Sequence, residues 1–368
     1  MRVRHIVLLL AAAALLYLFA LPSARPFERF ETAPAEPLPN SLAEDGRLDG
    51  LQRLATVGNG PEDIAVDADG HLYTGTADGH LYTLAPGEPS WRPIAITMGR
   101  PLGLAFGPQD RWLYIADGTR GLMRTDKEGH LERIVDAYAG PDGDTLPDLG
   151  LVDDLDVSPD GVVYFTSASS AWPLEDFEGA LLAHDRTGRF YAYDTKTKRL
   201  TVVLDDLAFP NGVAVAPDGS AVYVALTAEY AVLRIDLRGR GAPRAERITS
   251  VNLRFAERLP GFPDGLSFDD EGRLWVSLVA PRNDLLDALA DYPVLRRAVH
   301  RLPEGFRPET DYVGAMVALD ERGQVVDYLA SSEDADEPYL GITNGVWRGD
   351  TLYVGSLVER AVGRWVRP

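Results

Sequence analysis

The chain has 368 residues, with 36 Lys plus Arg against 56 Asp plus Glu, a formal charge of −20, and no cysteine. The missing cysteine excludes disulfide frameworks, thiolate zinc sites, iron–sulfur clusters and a cysteine nucleophile. The acidic excess argues against a nucleic-acid surface. The 35 Gly and 26 Pro fit a turn-rich all-β chain.

The chain opens with Arg2, Arg4 and His5 ahead of an apolar run over residues 6–21. That run is slightly short for a spanning helix and slightly long for the core of a cleaved signal. Prolines spoil the small-residue cleavage pattern at Ala20-Leu21-Pro22 and Pro22-Ser23-Ala24. Residues 1–24 therefore read as a hydrophobic helix acting as a signal anchor, with a cleaved signal peptide as the alternative. Positive-inside asymmetry places the rest of the chain on the non-cytoplasmic side; cleavage would make it secreted or periplasmic. Pro34, Pro37 and Pro39 predict an extended tether over residues 25–48.

From residue 49 to 368 one pattern recurs: a polar and a small residue, alternating apolar residues, a turn, then an aromatic-centred strand. It starts at Glu62-Asp63-Ile64, Leu102-Gly103-Leu104, Asp153-Asp154-Leu155, Asn211-Gly212-Val213, Asp264-Gly265-Leu266 and Asn344-Gly345-Val346. Turns such as Asp69-Gly70 and Asp160-Gly161 supply the left-handed residues that tight hairpins need. Third and fourth strands follow in most units, so the pattern predicts a six-bladed β-propeller of four-stranded blades. The sixth unit ends after its third strand, and residues 51–57 can add the missing outer strand to the last blade. Two units carry insertions, 168–187 and 281–312. The second reads as a helix over 283–300, kinked at Pro293, with Leu285, Leu286, Leu289, Val294 and Leu295 on its apolar side. Such loops serve as lids or specificity elements.

In a propeller the innermost strands line the central channel, so the six first positions should converge at one mouth: Glu62, Leu102, Asp153, Asn211, Asp264 and Asn344. Five of them offer hard oxygen ligands, the set that Ca2+ prefers. Asp or Asn before Gly is also ordinary turn chemistry, which explains any one of them but not Glu62 or Asp153 at the same place. Asp63, Asp154 and Asp156 read as structural neighbours of these positions. His71, His80 and His130 fall in hairpin turns; His184, in the first insertion, is the one histidine placed to reach the mouth. No nucleophile elbow, phosphate loop or dinucleotide fingerprint occurs.

The phrases Gly60-Pro61-Glu62, Gly99-Arg100-Pro101-Leu102, Asp154-Leu155-Asp156-Val157, Phe209-Pro210-Asn211-Gly212 and Pro260-Gly261-Phe262-Pro263-Asp264 carry a resemblance. In this order they resemble the strictosidine synthase-like and adipocyte plasma membrane-associated family of calcium-dependent six-bladed propellers. Gluconolactonase/senescence marker proteins and paraoxonases are more distant kin. The resemblance implies a channel calcium held by Glu62, Asp153, Asn211 and Asp264, polarising an ester or lactone carbonyl. Asp153 stands where the family usually has Asn. The family's last-blade catalytic glutamate has no counterpart in Ile342-Thr343-Asn344-Gly345, which argues against amine–aldehyde condensation. Leu102 replaces the paraoxonase histidine.

These readings lead to a calcium-dependent hydrolase of lactones or aryl esters. Asp153, Asp264 and His184 are its candidate proton carriers, and Leu102 and Asn344 its substrate contacts. Its partners are a small ester or lactone and, through the anchor, a membrane. A non-catalytic surface binding module that uses calcium only for stability is the alternative.

Overall fold

The computed structural model describes all residues except 1–4, 6–12, 14–15, 39–45, 136–148, 238–247 and 333. The described strands form six four-stranded antiparallel sheets in chain order. Their inner strands are Ile64–Val66, Pro101–Phe106, Leu151–Val157, Pro210–Val215, Gly261–Phe268 and Ile342–Arg348. Each inner strand packs on the next and the first packs on the last, so the six make a closed ring. The outer position of the sixth sheet is taken by Gln52–Arg53, which pair with Arg364 and Gly363.

The ring is held by one apolar core between each pair of neighbouring blades. Strand alternation divides the side chains between these cores. On Val162–Ser169, for example, Val163 and Phe165 enter the core shared with the second blade, whereas Val162 and Tyr164 enter the one shared with the fourth. Hairpin turns behave as their composition implies: Gly70 and Gly161 have φ of 84° and 88°, where a Cβ is disfavoured.

Residues 25–38 and the second insertion differ from expectation, while most of the expected anchor falls outside the described residues. No helix among the described residues is long and apolar enough to cross a membrane. Much of the apolar run lies outside the described residues, and its end, Leu16–Ala20, is a single π-helical turn. Residues 25–38 do not hang free as a tether. Glu28 N donates to Ala183 O (2.8 Å), Glu36 N donates to Arg258 O (2.9 Å), and Leu38 packs on the core between blades four and five. Of the rest of the expected tether, 39–45 lies outside the described residues, and Leu48 is buried in the core between blades five and six.

The insertion at 281–312 breaks rather than kinks. Helix α2 (Asp284–Ala288) and helix α3 (Pro293–His300) are separate, because Pro293 starts a new helix at the position that tolerates a missing N–H. The first insertion holds a short helix, α1 (Phe177–Ala183), which packs against α3. Leu285, Val294 and Leu295, on the expected apolar side, are 40–48% exposed.

Candidate functional site

The inner strands of blades two to six each slip register against their neighbour at the start of the repeat. The slips fall between Pro101 and Gly103, Val152 and Leu155, Pro210 and Val213, Pro263 and Leu266, and Ile342 and Gly345. A bulge of this kind leaves residues unpaired and re-aims their side chains. The leading residues of these bulges, Leu102, Asp153, Asn211, Asp264 and Thr343, line one cavity of about 240 Å3 together with Glu62. The structure thus brings together five of the six expected positions and replaces the sixth. In the last blade the repeat is offset by one, so Thr343 lines the cavity and Asn344 takes the next place.

Those next places, Asp63, Gly103, Asp154, Gly212, Gly265 and Asn344, form the joints between blades. Asp63 accepts from Ile64 N (2.6 Å) in its own strand and Leu104 N (2.5 Å) in the next blade. Asp154 likewise joins Leu155 N and Val213 N, both at 2.8 Å. Asp156 repeats the device with Val157 N (2.7 Å) and Val215 N (2.8 Å). Where Gly stands, the neighbouring strand is too close for a side chain: a Cβ on Gly212 would lie 2.1 Å from Asp264 O. Asn344 belongs to this joint layer. Its Nδ2 donates to Asp63 Oδ1 (2.5 Å) and its Oδ1 accepts from Gly345 N (2.8 Å), so it is corrected from substrate contact to blade joint.

His184 is also corrected. It caps α1 in a left-handed conformation, is 4% exposed and stacks on Phe30 with ring centroids 4.4 Å apart. It does not line the cavity. Burial, with Arg186 and Arg296 nearby, lowers its pKa to about 3, so it stays neutral.

The cavity floor is acidic. Burial pushes the carboxyls of Asp153 and Asp264 well above the usual range, and repulsion adds to it: from Glu62 and Asp154 at Asp153, and from Asp153, Glu62 and Asp154 at Asp264. Burial raises Glu62 too, against the pull of Arg100, whose guanidinium is ion-paired with it. Arg100 stood in a motif that carried the resemblance, yet only the structure shows it aimed at a channel carboxylate. Three carboxylates and the Asn211 carboxamide are all oxygen donors, and a buried acidic set of this kind is relieved by protons or by a hard cation. Calcium fits that donor chemistry. Among the described residues, three-residue groups with ligand atoms within 4.8 Å occur only at two hairpin turns, Asp67-Asp69-His71 and Asp126-Glu128-His130. The channel carboxylates stand further apart, with Glu62 turned onto Arg100.

The walls above the floor are apolar. Leu174, Phe177 and Leu181 come from the first insertion and Leu285, Leu286 and Leu289 from the second; Phe209 and Phe262 precede and open inner strands. Glu178, Arg282, Arg307, Glu309 and Asp311 are among the charged residues of the lining.

Two family models match the chain: strictosidine synthase over residues 153–239, and strictosidine synthase-like, N-terminal, over residues 41–84. Adipocyte plasma membrane-associated protein of Rattus norvegicus is 33% identical over 314 residues, covering 77% of this chain and 80% of the relative. Strictosidine synthase-like 10 of Arabidopsis thaliana is 32% identical over 342 residues, covering 84% and 85%. The Danio rerio adipocyte plasma membrane-associated protein is 35% identical over 260 residues, and there the chain spans only 60% of the relative's length. A gluconolactonase of Xanthomonas campestris superposes with a TM-score of 0.61 at 19% identity, covering 95% of this chain and 99% of that one. Regucalcin of Agrobacterium tumefaciens, a calcium-binding protein, gives 0.58 at 17% identity, covering 88% and 93%. At such identities the structural likeness shows the fold alone.

Proposed function

Because this chain belongs to the strictosidine synthase-like family of six-bladed propellers, we propose that it is a calcium-dependent hydrolase of lactones or aryl esters. The observation that carries this reading is the convergence of Glu62, Asp153, Asn211 and Asp264, from four different blades, on the floor of one apolar-walled cavity. These four residues would hold the ion. Bound there, Ca2+ supplies Lewis-acid polarisation of a carbonyl and lowers the pKa of a water. The chain's own residues do the remainder. Leu102, Phe209 and Phe262 hold the acyl or aryl part of the substrate and exclude bulk water. Asp153 or Asp264, the floor carboxylates that Arg100 does not engage, takes the proton. Arg100 balances the charge of Glu62 until an ion takes that carboxylate.

The names of the gluconolactonase neighbour and of the calcium-binding regucalcin support this reading, as does the absence of a carboxylate in Ile342-Thr343-Asn344-Gly345, where a condensing enzyme would need one. The name of the mammalian relative supports membrane association; attachment through residues 6–21, with the ring on the non-cytoplasmic side, rests on the basic start and apolar run of the sequence.

The test is turnover of a lactone and aryl-ester panel with calcium or with chelator. Saturable activity that chelator abolishes, that Asp264→Ala loses and that His184→Ala keeps is the expected result. Calcium binding without turnover would replace hydrolysis by a binding module.

A further inference from the structure

We propose that the lid end of the ring lies flat on a lipid bilayer and that the cavity mouth opens into that contact. Fifteen large apolar side chains are exposed among the described residues, and their placement is one-sided. Nine belong to the Leu16–Leu21 turn or to the second insertion, including Tyr292 (57%), Val294 (48%), Leu295 (40%) and Phe306 (76%). Met98 and Val358 sit on loops at the same end of the ring, and Ile96 ends an outer strand there. The remaining three are scattered, Val251 and Val326 on outer strands and Val366 on the third strand of the sixth sheet. A patch of this kind, concentrated on one face, marks a contact surface.

The occupant is indicated by how the turn's backbone is satisfied. Arg301 donates to the carbonyls of Tyr17 (2.7 Å), Leu18 (3.3 Å), Leu21 (2.9 Å) and Pro22 (2.9 Å). Arg297 donates to that of Phe19 (2.9 Å). A turn facing water has no need of two arginines for five carbonyls. One that enters hydrocarbon must have its backbone groups paired within the protein. The same turn is the end of the apolar run over residues 6–21. The protein's charge of −20 disfavours an anionic surface, which leaves a zwitterionic bilayer. Leu285 both lines the cavity and is 46% exposed, so the mouth lies within the patch. An interfacial seat of this sort needs no spanning helix from the ring.

The absence of native cysteine makes the test direct. Full-length protein is reconstituted in phosphatidylcholine vesicles with one environment-sensitive fluorophore on Tyr292→Cys, Leu295→Cys or Phe306→Cys, and on Val251→Cys or Val326→Cys as references. The lid labels should shift to the blue and be quenched several-fold more strongly by nitroxide-bearing acyl chains than the references. Equal quenching of lid and reference labels by aqueous iodide, without acyl-chain quenching, would overturn the proposal. So would a blue shift that follows protein density rather than lipid depth, since it would assign the face to a second copy of the chain. Neither outcome depends on whether the cavity hydrolyses esters.

Discussion

Asn344 Nδ2 donates to Asp63 Oδ1 at 2.5 Å, tying the last blade of the ring to the first. Asn344 is 9% exposed and Asp63 3%, so neither group regains water if the other is removed. Asn344→Ala should lower stability by about 1–3 kcal/mol, the usual cost of stranding a buried polar partner. Denaturant unfolding measures this, and KM of the folded fraction should stay unchanged. A large rise in KM with intact stability would return Asn344 to the substrate.

The repeat made the ring legible because each blade restates the same alternation of apolar residues and the same turn. Five cavity positions followed from it. The sixth did not, because Asn344-Gly345 copies the look of Asn211-Gly212 while standing one place later relative to the bulge. In blade four Gly212 yields to the neighbouring Asp264 carbonyl. In blade six that joint is filled by Asn344 itself, and Gly345 pairs with Val354. A bulge shifts register without leaving a residue signature, so composition alone could not separate the two. Arg100, Phe30 and Arg296 were illegible for another reason: their partners lie 38, 154 and 268 residues away.

Asp156 predicts a pH dependence. Burial raises its pKa from 3.8 to about 6, against the opposing effect of two backbone N–H donors. Between those values the folded state binds the proton more firmly than the unfolded state does. Stability from this group is therefore present at the acid end and falls as pH rises from about 4 to about 6, by at most roughly 3 kcal/mol. Urea midpoints across that range should decline in the wild type and flatten in Asp156→Asn. The variant should start lower, since its amide meets an N–H with an N–H. An unchanged slope in the variant would remove Asp156 as the source.

Arg100 sets the charge of the cavity floor. It is the cation paired with Glu62, so it competes with any metal for that carboxylate. Arg100→Gln should lower the thermal midpoint without calcium, as buried Glu62 and Asp153 lose their nearby cation. It should also enlarge the rise in midpoint on adding calcium, because Glu62 is freed and the floor is one charge more negative. Calorimetric titration should show tighter calcium binding by roughly tenfold, the effect of about 1.4 kcal/mol. Weaker binding in the variant would mean that Arg100 positions Glu62 for the ion instead of competing with it.

Arg296 holds the lid. It is fully buried and donates to Leu289 O (3.1 Å), Leu182 O (2.5 Å) and Ala290 O (3.2 Å), and to Glu28 O. One guanidinium thus joins the end of α1, the turn between α2 and α3, and the N-terminal segment, with Phe30 stacked 4.8 Å from its carbon. Burial lowers its pKa to about 10, still high enough to keep the charge at neutral pH. Arg296→Met would leave four carbonyls without this donor while sparing the cores between blades. The lid and residues 25–38 should therefore open locally before the ring unfolds. With a loss of about 2–3 kcal/mol, limited proteolysis within 284–306 should speed up by roughly 30- to 150-fold, and the global denaturant midpoint should move little. Arg296→Lys should not rescue it, because a single ammonium cannot reach carbonyls on opposite edges of a guanidinium. Equal loss of lid protection and global stability would instead place Arg296 in the ring's own cooperative unit.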